Sequence, residues 1–307
     1  MNGFTKWRRS DSAQGLALIS GPFVYALLLL AAPIAMVVAL SFWTQDYLTL
    51  DRTFTLNNYR EVWATEKMGW SWIDIKLWAS DIYPFFMGRS LKISAVVTAT
   101  TILLAFPVAY YISFYVPQKR KPLWVFLITI PFWTSYLMRI FLWKVILGYN
   151  GVINSALLGV GVINEPLSFI LYNQNAVVLT LAHSWVPFAI LPMFVALEKI
   201  DRSFLEAAQD LGDGAFKRFW RITLPLAAPG IIAATIIVFI PTIGDYVTPK
   251  LVGGTNGSMI SNQIEAQFKK SNNAPLGAAL ALSAMFLVSI ISIIFIWLNR
   301  KFLTGQK

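Results

Sequence analysis

Very few residues in this chain have side chains that could carry covalent or metal chemistry. The 307 residues include no cysteine, and His183 is the only histidine. Thiolate nucleophiles, disulfides and metal sites built from cysteine or histidine clusters are therefore excluded. The phosphate-binding pattern GxxxxGK[ST], the nucleophile turn GxSxG and the zinc-binding pattern HExxH are also absent from the sequence. The sequence thus predicts no catalytic residue, no metal and no cofactor, and a source of energy is expected in a partner.

Two charged residues stand inside long apolar runs. Arg139 follows Pro122, and Asp245 follows Ala227, by a similar number of residues. At about 1.5 Å per residue, both would lie about 25 Å from the start of their runs. An isolated charge in hydrocarbon costs at least about 2.5 kcal/mol, so we expect Arg139 and Asp245 to form a pair. This pair has two possible roles: a fixed bridge between helices, or a gate in which a cationic substrate replaces Arg139 at Asp245.

Four aromatic residues lie in these two runs and in the run that holds His183, and they are candidates for a substrate path: Trp133, Tyr136, Trp185 and Tyr246. Aromatic rings attract ammonium groups through their quadrupoles, but such residues also serve as packing or interface residues. His183 is expected to form a hydrogen bond between helices.

The composition indicates a membrane protein. Hydrophobic residues make up 57% of the chain and charged residues 13%, with a mean hydropathy of +0.61. Six apolar windows are long enough to cross a membrane, which predicts an all-α protein with six transmembrane helices. The predicted spans are residues 16–43, 91–116, 122–147, 176–197, 227–248 and 275–298. The first span resembles a signal peptide in its basic flank, but its apolar run is too long and ends at an aromatic pair, so we expect it to be retained.

Basic residues in the short loops set the expected orientation. They are concentrated in four segments: residues 1–15, the loop 117–122, the stretch 198–225 and the tail 301–307 together with Arg300. Both termini, with the tails 1–15 and 301–307, are therefore predicted to be cytoplasmic. The net charge of +10 does not indicate nucleic acid binding, because the basic residues flank apolar runs instead of sharing one soluble face.

The stretch 198–225 is polar and interrupted by glycines. Ser203 and Glu206 fit a capping box that would start a helix continuing to Leu211. Gly212 and Gly214 would break it, and a second short helix would follow and end at Pro225. An alternative is an amphipathic hairpin lying on anionic lipid through Phe216, Phe219, Trp220 and their basic neighbours.

The same stretch matches the spacing E-A-A-x3-G-x9-I-x-L-P without a gap. The matching residues, with Asp210 inside the motif, are Glu206, Ala207, Ala208, Asp210, Gly212, Ile222, Leu224 and Pro225. This resembles the EAA motif of permease subunits of bacterial ABC importers. The resemblance implies a type I ABC importer permease fold in the bacterial inner membrane. It also implies that this loop docks on an ATPase subunit and that the domain covers residues 16–300.

Three further segments look like those of spermidine/putrescine permeases: residues 130–154, 187–201 and 239–254. Lys250 departs from that subfamily, which usually has an acid there. The resemblance implies two ATPase subunits, a second permease subunit that is a relative, and an external solute-binding protein. Other amines or small solutes such as amino-acid derivatives or opines remain alternatives, as do a gated channel and a membrane scaffold without a conduit.

The predicted external segment 45–88 is long and rich in aromatic residues, which are Trp63, Trp70, Trp72, Trp78, Tyr83, Phe85 and Phe86. It could cover the outer mouth or receive the solute-binding protein. An interfacial amphipathic helix is the competing interpretation.

Overall fold

The structure is a computed structural model that describes residues 11–47, 49–63 and 82–304. Two short strands form an antiparallel hairpin, β1 (Thr44–Asp46) and β2 (Thr49–Asp51), with Gln45 opposite Leu50. The other regular elements are helical. The α-helices are α1 (Asp11–Ser41), α2 (Asn57–Trp63), α3 (Ile82–Phe114), α4 (Lys121–Thr129), α5 (Tyr136–Leu147), α6 (Val152–Gly159), α7 (Gln174–Glu198), α8 (Arg202–Asp210), α9 (Ala215–Arg218), α10 (Leu224–Ile243), α11 (Ile260–Lys269), α12 (Ala274–Leu298) and α13 (Arg300–Thr304).

Six helical segments in the described residues are long and apolar enough to cross a membrane, which confirms the predicted number. They are Leu18–Ser41, Ile82–Phe114, Tyr136–Gly159, Gln174–Glu198, Ala215–Ile243 and Ala274–Leu298. The second helix begins at Ile82, earlier than the predicted residue 91, so Tyr83, Phe85 and Phe86 belong to it. Trp70, Trp72 and Trp78 lie outside the described residues, as do residues 1–10 and 305–307 of the predicted tails.

The third predicted span, 122–147, is not one helix. Helix α4 passes into a 3₁₀ turn at Ile130–Trp133, and Thr134 then adopts an extended backbone before α5 begins. Pro131 has no N–H to donate, and its carbonyl accepts both the backbone N–H and the hydroxyl of Thr134. These local bonds close the turn and end the helix. The apolar segment that is long enough to span therefore starts at Tyr136, after this break.

The chain divides into two compact units, of which the first comprises Met1–Ala64 and Gln267–Ser283. In its described part, Asn58 joins the end of α1 to α2: its amide donates to the carbonyls of Ser41 (2.9 Å) and Trp43 (2.7 Å). The Trp63 indole donates to Ser283 Oγ at 3.2 Å. The Gln45 side chain accepts from the backbone N–H of Ala274 at 3.0 Å. These bonds connect α2 and the β1–β2 hairpin to the first half of α12.

The second unit comprises Thr65–Ala266 and Ala284–Lys307. Its core is formed by α3, α7 and α10, whose facing side chains are mostly small or branched; they include Val97, Ala105, Ala109, Val177, Leu181, Ala189, Met193, Ala227, Ala234 and Val238. At Gly230 of α10, a β-carbon would lie 2.5 Å from Ala196 Cβ and 2.6 Å from the Pro192 carbonyl of α7. Glycine is therefore required where these two helices cross. The tight crossing positions both ends of α10, where the candidate sites lie.

Candidate functional site

The polar stretch between α7 and α10 starts with a helix cap that differs from the prediction. Helix α8 begins at Arg202, and the Asp201 side chain accepts the backbone N–H of Ser203 at 2.9 Å. The predicted capping box, with Ser203 as the cap, is therefore wrong. Aspartate and serine are about equally good N-caps, so the pattern D-R-S-x-x-E did not decide between them. The bond from the Ser203 N–H holds the pKa of the Asp201 carboxyl below its usual value.

The end of α8 is fixed by Gly212, as the sequence predicts. The N–H of Gly212 donates to the carbonyl of Gln209, and the N–H of Asp213 donates to the carbonyl of Ala208, both at 2.9 Å. These two bonds form a Schellman motif, which needs a left-handed residue at the position of Gly212. Its φ is +87°, a conformation that side chains with a β-carbon rarely adopt.

The second half of the stretch does not form a separate short helix ending at Pro225. Helix α9 continues through a π turn, Phe219–Thr223, directly into α10. The N–H of Leu224 bonds to the Phe219 carbonyl five residues back, and Pro225 follows in the first turn of α10. Pro225 has no N–H to donate, and the π turn directly before it is the irregularity through which the helix continues past the missing donor. The second half of the stretch is thus joined to the rest of the fifth span by a continuous helical backbone.

We call residues Asp201–Pro225 the elbow. Its two halves are held together by charges: Asp213 contacts Lys217 at 2.6 Å and Arg221 at 3.2 Å. The Arg218 guanidinium also donates to the Gln209 side chain at 2.7 Å. The hydrogen bond from Lys217 is the main reason that the pKa of the Asp213 carboxyl lies below its ordinary value. The elbow is therefore a folded unit and not a loose loop.

The motif residues divide between two faces of the elbow. Glu206, Ala207 and Asp210 are exposed, while Ala208 is buried. Gly212 and Pro225 are exposed, and Ile222 and Leu224 are half-buried where the elbow enters α10. Four large apolar side chains beside the exposed motif residues also face outward: Phe204, Leu211, Phe216 and Trp220, with Leu211 at 86% and Phe216 at 78% exposure. Sequence reasoning missed the exposure of Phe204 and Leu211, because their spacing resembles that of buried helix positions.

Phe219 does not belong to this exposed apolar group. Its ring packs edge-on against Phe106 and Tyr110 of α3, with centroid distances of 5.8 and 6.1 Å. The lipid-hairpin alternative placed Phe219 with Phe216 and Trp220 on one lipid-facing surface. In the structure Phe219 is half-buried and connects the elbow to α3, although its ring also contacts the exposed Trp220 edge-on at 5.7 Å.

The base of the elbow is anchored by a buried ion pair that sequence reasoning also missed. Lys121 Nζ lies 2.5 Å from Glu198 Oε1 and 2.9 Å from the Ser113 carbonyl oxygen. The Arg202 guanidinium donates to the same carbonyl at 3.4 Å. These groups line a polar cavity of about 530 Å³. The ends of α3, α4 and α7 are thus joined to the first residue of α8.

A second polar cluster lies at the opposite end of α10. This helix ends at Ile243, so Asp245 stands just beyond the helix instead of inside it as predicted. The Tyr136 hydroxyl donates to Asp245 Oδ2 at 2.6 Å and lies 3.0 Å from Thr248 Oγ1. Asp245 Oδ1 accepts the backbone N–H of Val247 at 2.9 Å.

Arg139 and Asp245 form no ion pair within the described residues, so the predicted pair is wrong. Arg139 donates to the Ser184 carbonyl at 3.3 Å, and its guanidinium carbon lies 5.8 Å from the centre of the Tyr136 ring. Both charged side chains therefore contact Tyr136, one at its ring and the other at its hydroxyl. Tyr136, one turn before Arg139 on the same helix, thus gives Asp245 a hydrogen bond from an uncharged donor.

The other aromatic candidates are not gathered at this cluster. Trp133 is 80% exposed, in the 3₁₀ turn before α5. Trp185 packs against Phe188 at 5.1 Å, and its buried indole N–H has no hydrogen-bond partner in the described part of the chain. Tyr246 is adjacent to Asp245, and its carbonyl accepts the Asn262 amide at 2.8 Å. The prediction for His183 is confirmed by a bond from the Trp143 indole to its Nδ1 at 3.1 Å.

Comparison with known proteins identifies the family. The profile of the family described as "Binding-protein-dependent transport system inner membrane component" matches residues 23–304. The chain belongs to this family. It is 33% identical over 286 residues to the spermidine/putrescine transport system permease protein PotB of Haemophilus influenzae, covering 93% of both chains. It is 31% identical over 283 residues to PotB of Escherichia coli K12, covering 90% of this chain and 96% of the relative.

Solved structures of ABC transporters share the fold of this chain. A bacterial ABC transporter that imports the acidic polysaccharide alginate matches with a TM-score of 0.70 at 15% identity, over 97% of this chain and 98% of that one. The MetNI methionine ABC transporter in an inward-facing conformation matches with a TM-score of 0.54 at 17% identity, over 71% and 94%. The chain is therefore a transmembrane permease subunit of an ABC importer, a multi-pass protein of the bacterial inner membrane with the type I permease fold.

Proposed function

We propose that this permease subunit forms part of the conduit of an ATP-driven importer for polyamines such as spermidine and putrescine. The observation that carries the proposal is the similarity to spermidine/putrescine permeases over more than nine-tenths of the chain in the nearer comparison. The described part of the bundle supports it, because Asp245 offers a carboxylate at the end of a span without an arginine or lysine bound to it. A carboxylate in such a place favours a cationic solute.

The Lys250 substitution does not oppose this proposal. Lys250 Nζ lies 2.7 Å from Glu265 Oε1, so its positive charge has a carboxylate partner on α11. A compensated cation repels a polyamine less than an unpaired one would. The acid usual at this position in the related subfamily is thus replaced by a basic residue whose charge is balanced nearby.

The elbow is the proposed contact with a separate ATPase subunit, in which ATP hydrolysis would take place. Glu206, Ala207 and Asp210 are exposed beside Phe204, Leu211 and Phe216. An exposed apolar group rimmed by acids is typical of a surface that another protein covers. The Schellman turn and the Asp213 ion pairs give this surface a defined shape. The distribution of basic residues supports a cytoplasmic location for the elbow and for both termini.

The proposed assembly contains two ATPase subunits, a second permease subunit that is a relative of this chain, and an external solute-binding protein. The family description, a component of a binding-protein-dependent system, supports the last of these. The β1–β2 hairpin and α2, on the predicted outer side, are the candidate elements for receiving that protein.

A reconstituted complex tests the substrate. The permease pair, the ATPase and the binding protein would be placed in proteoliposomes, and ATP hydrolysis measured with spermidine, putrescine, a neutral sugar and an acidic amino acid. We expect the two polyamines alone to stimulate hydrolysis. Stimulation by another solute class and none by any amine would contradict the polyamine assignment while leaving the importer itself in place.

A further inference from the structure

The Asp245 carboxylate is held in a fixed orientation by neutral groups. Its Oδ1 accepts the backbone N–H groups of Val247 at 2.9 Å and Thr248 at 3.4 Å. Its own carbonyl accepts the Ser261 hydroxyl at 2.7 Å, which fixes the backbone against α11. Oδ2 accepts the Tyr136 hydroxyl at 2.6 Å. Among the described residues, Oδ2 therefore has a side-chain partner that can move, while Oδ1 and the backbone are held in place.

The nearby cation is turned away from this carboxylate. Arg139 donates to the Ser184 carbonyl, and its Nε is buried without a hydrogen-bond partner among the described residues. The guanidinium carbon lies 5.8 Å from the centre of the Tyr136 ring, whose hydroxyl bonds to Asp245. A half-buried carboxylate bound by neutral donors gains more from a cationic N–H donor than from a phenol, because the opposite charge adds Coulomb attraction to the hydrogen bond. The Asp245 carboxylate can therefore bind a cation, because its hydrogen-bond donors among the described residues are all neutral.

The Tyr136 hydroxyl already has an alternative partner. Thr248 Oγ1 lies 3.0 Å from it, and Thr248 is fully buried three residues after Asp245. If a stronger donor takes Oδ2, the Tyr136 hydroxyl can donate to Thr248 without becoming an unsatisfied buried group. If the displaced Tyr136 hydroxyl had no other acceptor, the cost of an unsatisfied buried group would oppose the exchange of donors at Asp245. The Thr248 hydroxyl removes this cost and so favours the exchange.

We propose that, in the unliganded importer, the Tyr136 hydroxyl donates its hydrogen bond to Asp245 Oδ2. A primary ammonium group of the transported solute then replaces the hydroxyl as the donor to this oxygen. Tyr136 is thus a positioning residue that keeps the carboxylate hydrogen-bonded between transport cycles, and Asp245 binds the solute. Arg139, beside the Tyr136 ring, limits the affinity by repulsion, which suits a site that must release its ligand. The inference rests on the proposed polyamine function.

A fixed strut between α5 and the turn after α10 is the competing interpretation. The two interpretations differ in the effect of Tyr136→Phe. A strut loses a bond, so this variant would weaken the fold and transport together. A displaceable hydroxyl is a competitor of the ligand, so its removal would tighten ligand binding. The ring that contacts Arg139 is retained in both cases.

The test measures equilibrium binding of radiolabelled spermidine to the complete permease–ATPase complex in lipid nanodiscs, with uptake in proteoliposomes containing the binding protein. We expect Asp245→Asn to weaken binding about 10- to 100-fold, the usual loss for a hydrogen bond to a charged group. Tyr136→Phe should tighten binding severalfold, and the double variant should bind like Asp245→Asn alone. Glu165→Gln and Tyr149→Phe, which remove one carboxylate charge and one phenol hydroxyl at exposed positions, should leave binding unchanged.

Three outcomes overturn the inference: unchanged binding in Asp245→Asn, weaker binding in Tyr136→Phe, or a Tyr136→Phe effect that persists when Asp245 is already Asn. Each of these can occur while the unmodified importer still takes up spermidine. Failure of the proposed function looks different, because the unmodified complex itself would then show no uptake of any polyamine. Basal ATP hydrolysis and subunit assembly are measured in every variant, so that loss of binding is not confused with loss of the complex.

Discussion

Lys121 Nζ lies 2.5 Å from Glu198 Oε1, and this pair joins the start of α4 to the end of α7, just before the elbow. Lys121 is 5% exposed, whereas Glu198 remains partly open to solvent. The Ser113 carbonyl binds Lys121 and also Arg202, the first residue of α8. The pair therefore fixes the direction in which the elbow leaves the bundle.

Removal of the lysine charge should loosen this anchor. We expect Lys121→Met to lower the free energy of unfolding by about 1–3 kcal/mol, because the partly buried Glu198 carboxylate loses its hydrogen-bonded partner. Thermal unfolding of the purified complex measures the stability, and the ratio of uptake to ATP hydrolysis measures coupling, which should fall. Lys119→Met changes an exposed lysine of the same loop and serves as the control. Equal effects of the two substitutions would show that the ion pair has no special part.

The turn at Gly212 should be sensitive to any side chain. A residue with a β-carbon at φ +87° is strained by about 1–2 kcal/mol, and Gly212→Asp also adds a charge at the exposed surface. We expect ATP hydrolysis to become uncoupled from uptake, with the protein still inserted in the membrane. Gly214→Asp adds the same charge at a residue with φ −65° and open space around it, and it should have a much smaller effect. Unchanged coupling in Gly212→Asp would favour the lipid-hairpin alternative.

The ion pairs of Asp213 give the elbow a pH dependence. The pKa of this carboxyl is lower in the folded protein than its ordinary value of 3.8, so its stabilising contribution is present above that value and is lost as the pH falls through the folded pKa. The protection of residues 201–225 against hydrogen exchange, expressed relative to the intrinsic exchange rate at each pH, should therefore fall as the solution is acidified below about pH 4. Asp213→Asn should remove this acid-dependent step, whereas Asp210→Asn, on the exposed face of α8, should retain it. Persistence of the step in Asp213→Asn would assign it to another group.

The crossing of α7 and α10 should not accept a β-carbon. Gly230→Ala would place a methyl group 2.5 Å from Ala196 Cβ and 2.6 Å from the Pro192 carbonyl, so the helices must separate. We expect a loss of about 1–3 kcal/mol, typical of overpacking in a dense core. Gly159→Ala adds the same methyl group where nothing lies within 4 Å. A complex of Gly230→Ala as stable as that of Gly159→Ala would contradict the packing described here.

The number of spans could be predicted from hydropathy, because apolar length alone decides whether a helix can cross a bilayer. The turn at Gly212 was also accessible, since glycine has a specific role at the end of a helix. The break after Pro131 and the continuous passage through Pro225 were not, although both involve proline. Whether a helix ends at a proline or continues past it depends on which backbone carbonyls receive hydrogen bonds from other N–H or O–H groups. That is a property of the folded backbone.

The polar clusters show a second limit. Matched depth predicted a direct pair of Arg139 and Asp245, but it could not show that each of them would contact Tyr136 instead. The Lys121–Glu198 pair was missed because the two residues are far apart in sequence and each looked like an ordinary loop charge. Side-chain direction, and not residue type, decides both cases.

Uptake of radiolabelled spermidine into proteoliposomes that contain the complete importer is the most direct test of the central claim. The binding protein and spermidine are supplied on one side of the membrane, and ATP is supplied on the side of the elbow. We expect spermidine to accumulate above the external concentration with ATP, and not with ADP or when the elbow carries Gly212→Asp. Equal spermidine entry with ATP and ADP would contradict it, because a passive channel, and not an ATP-driven permease, gives that result.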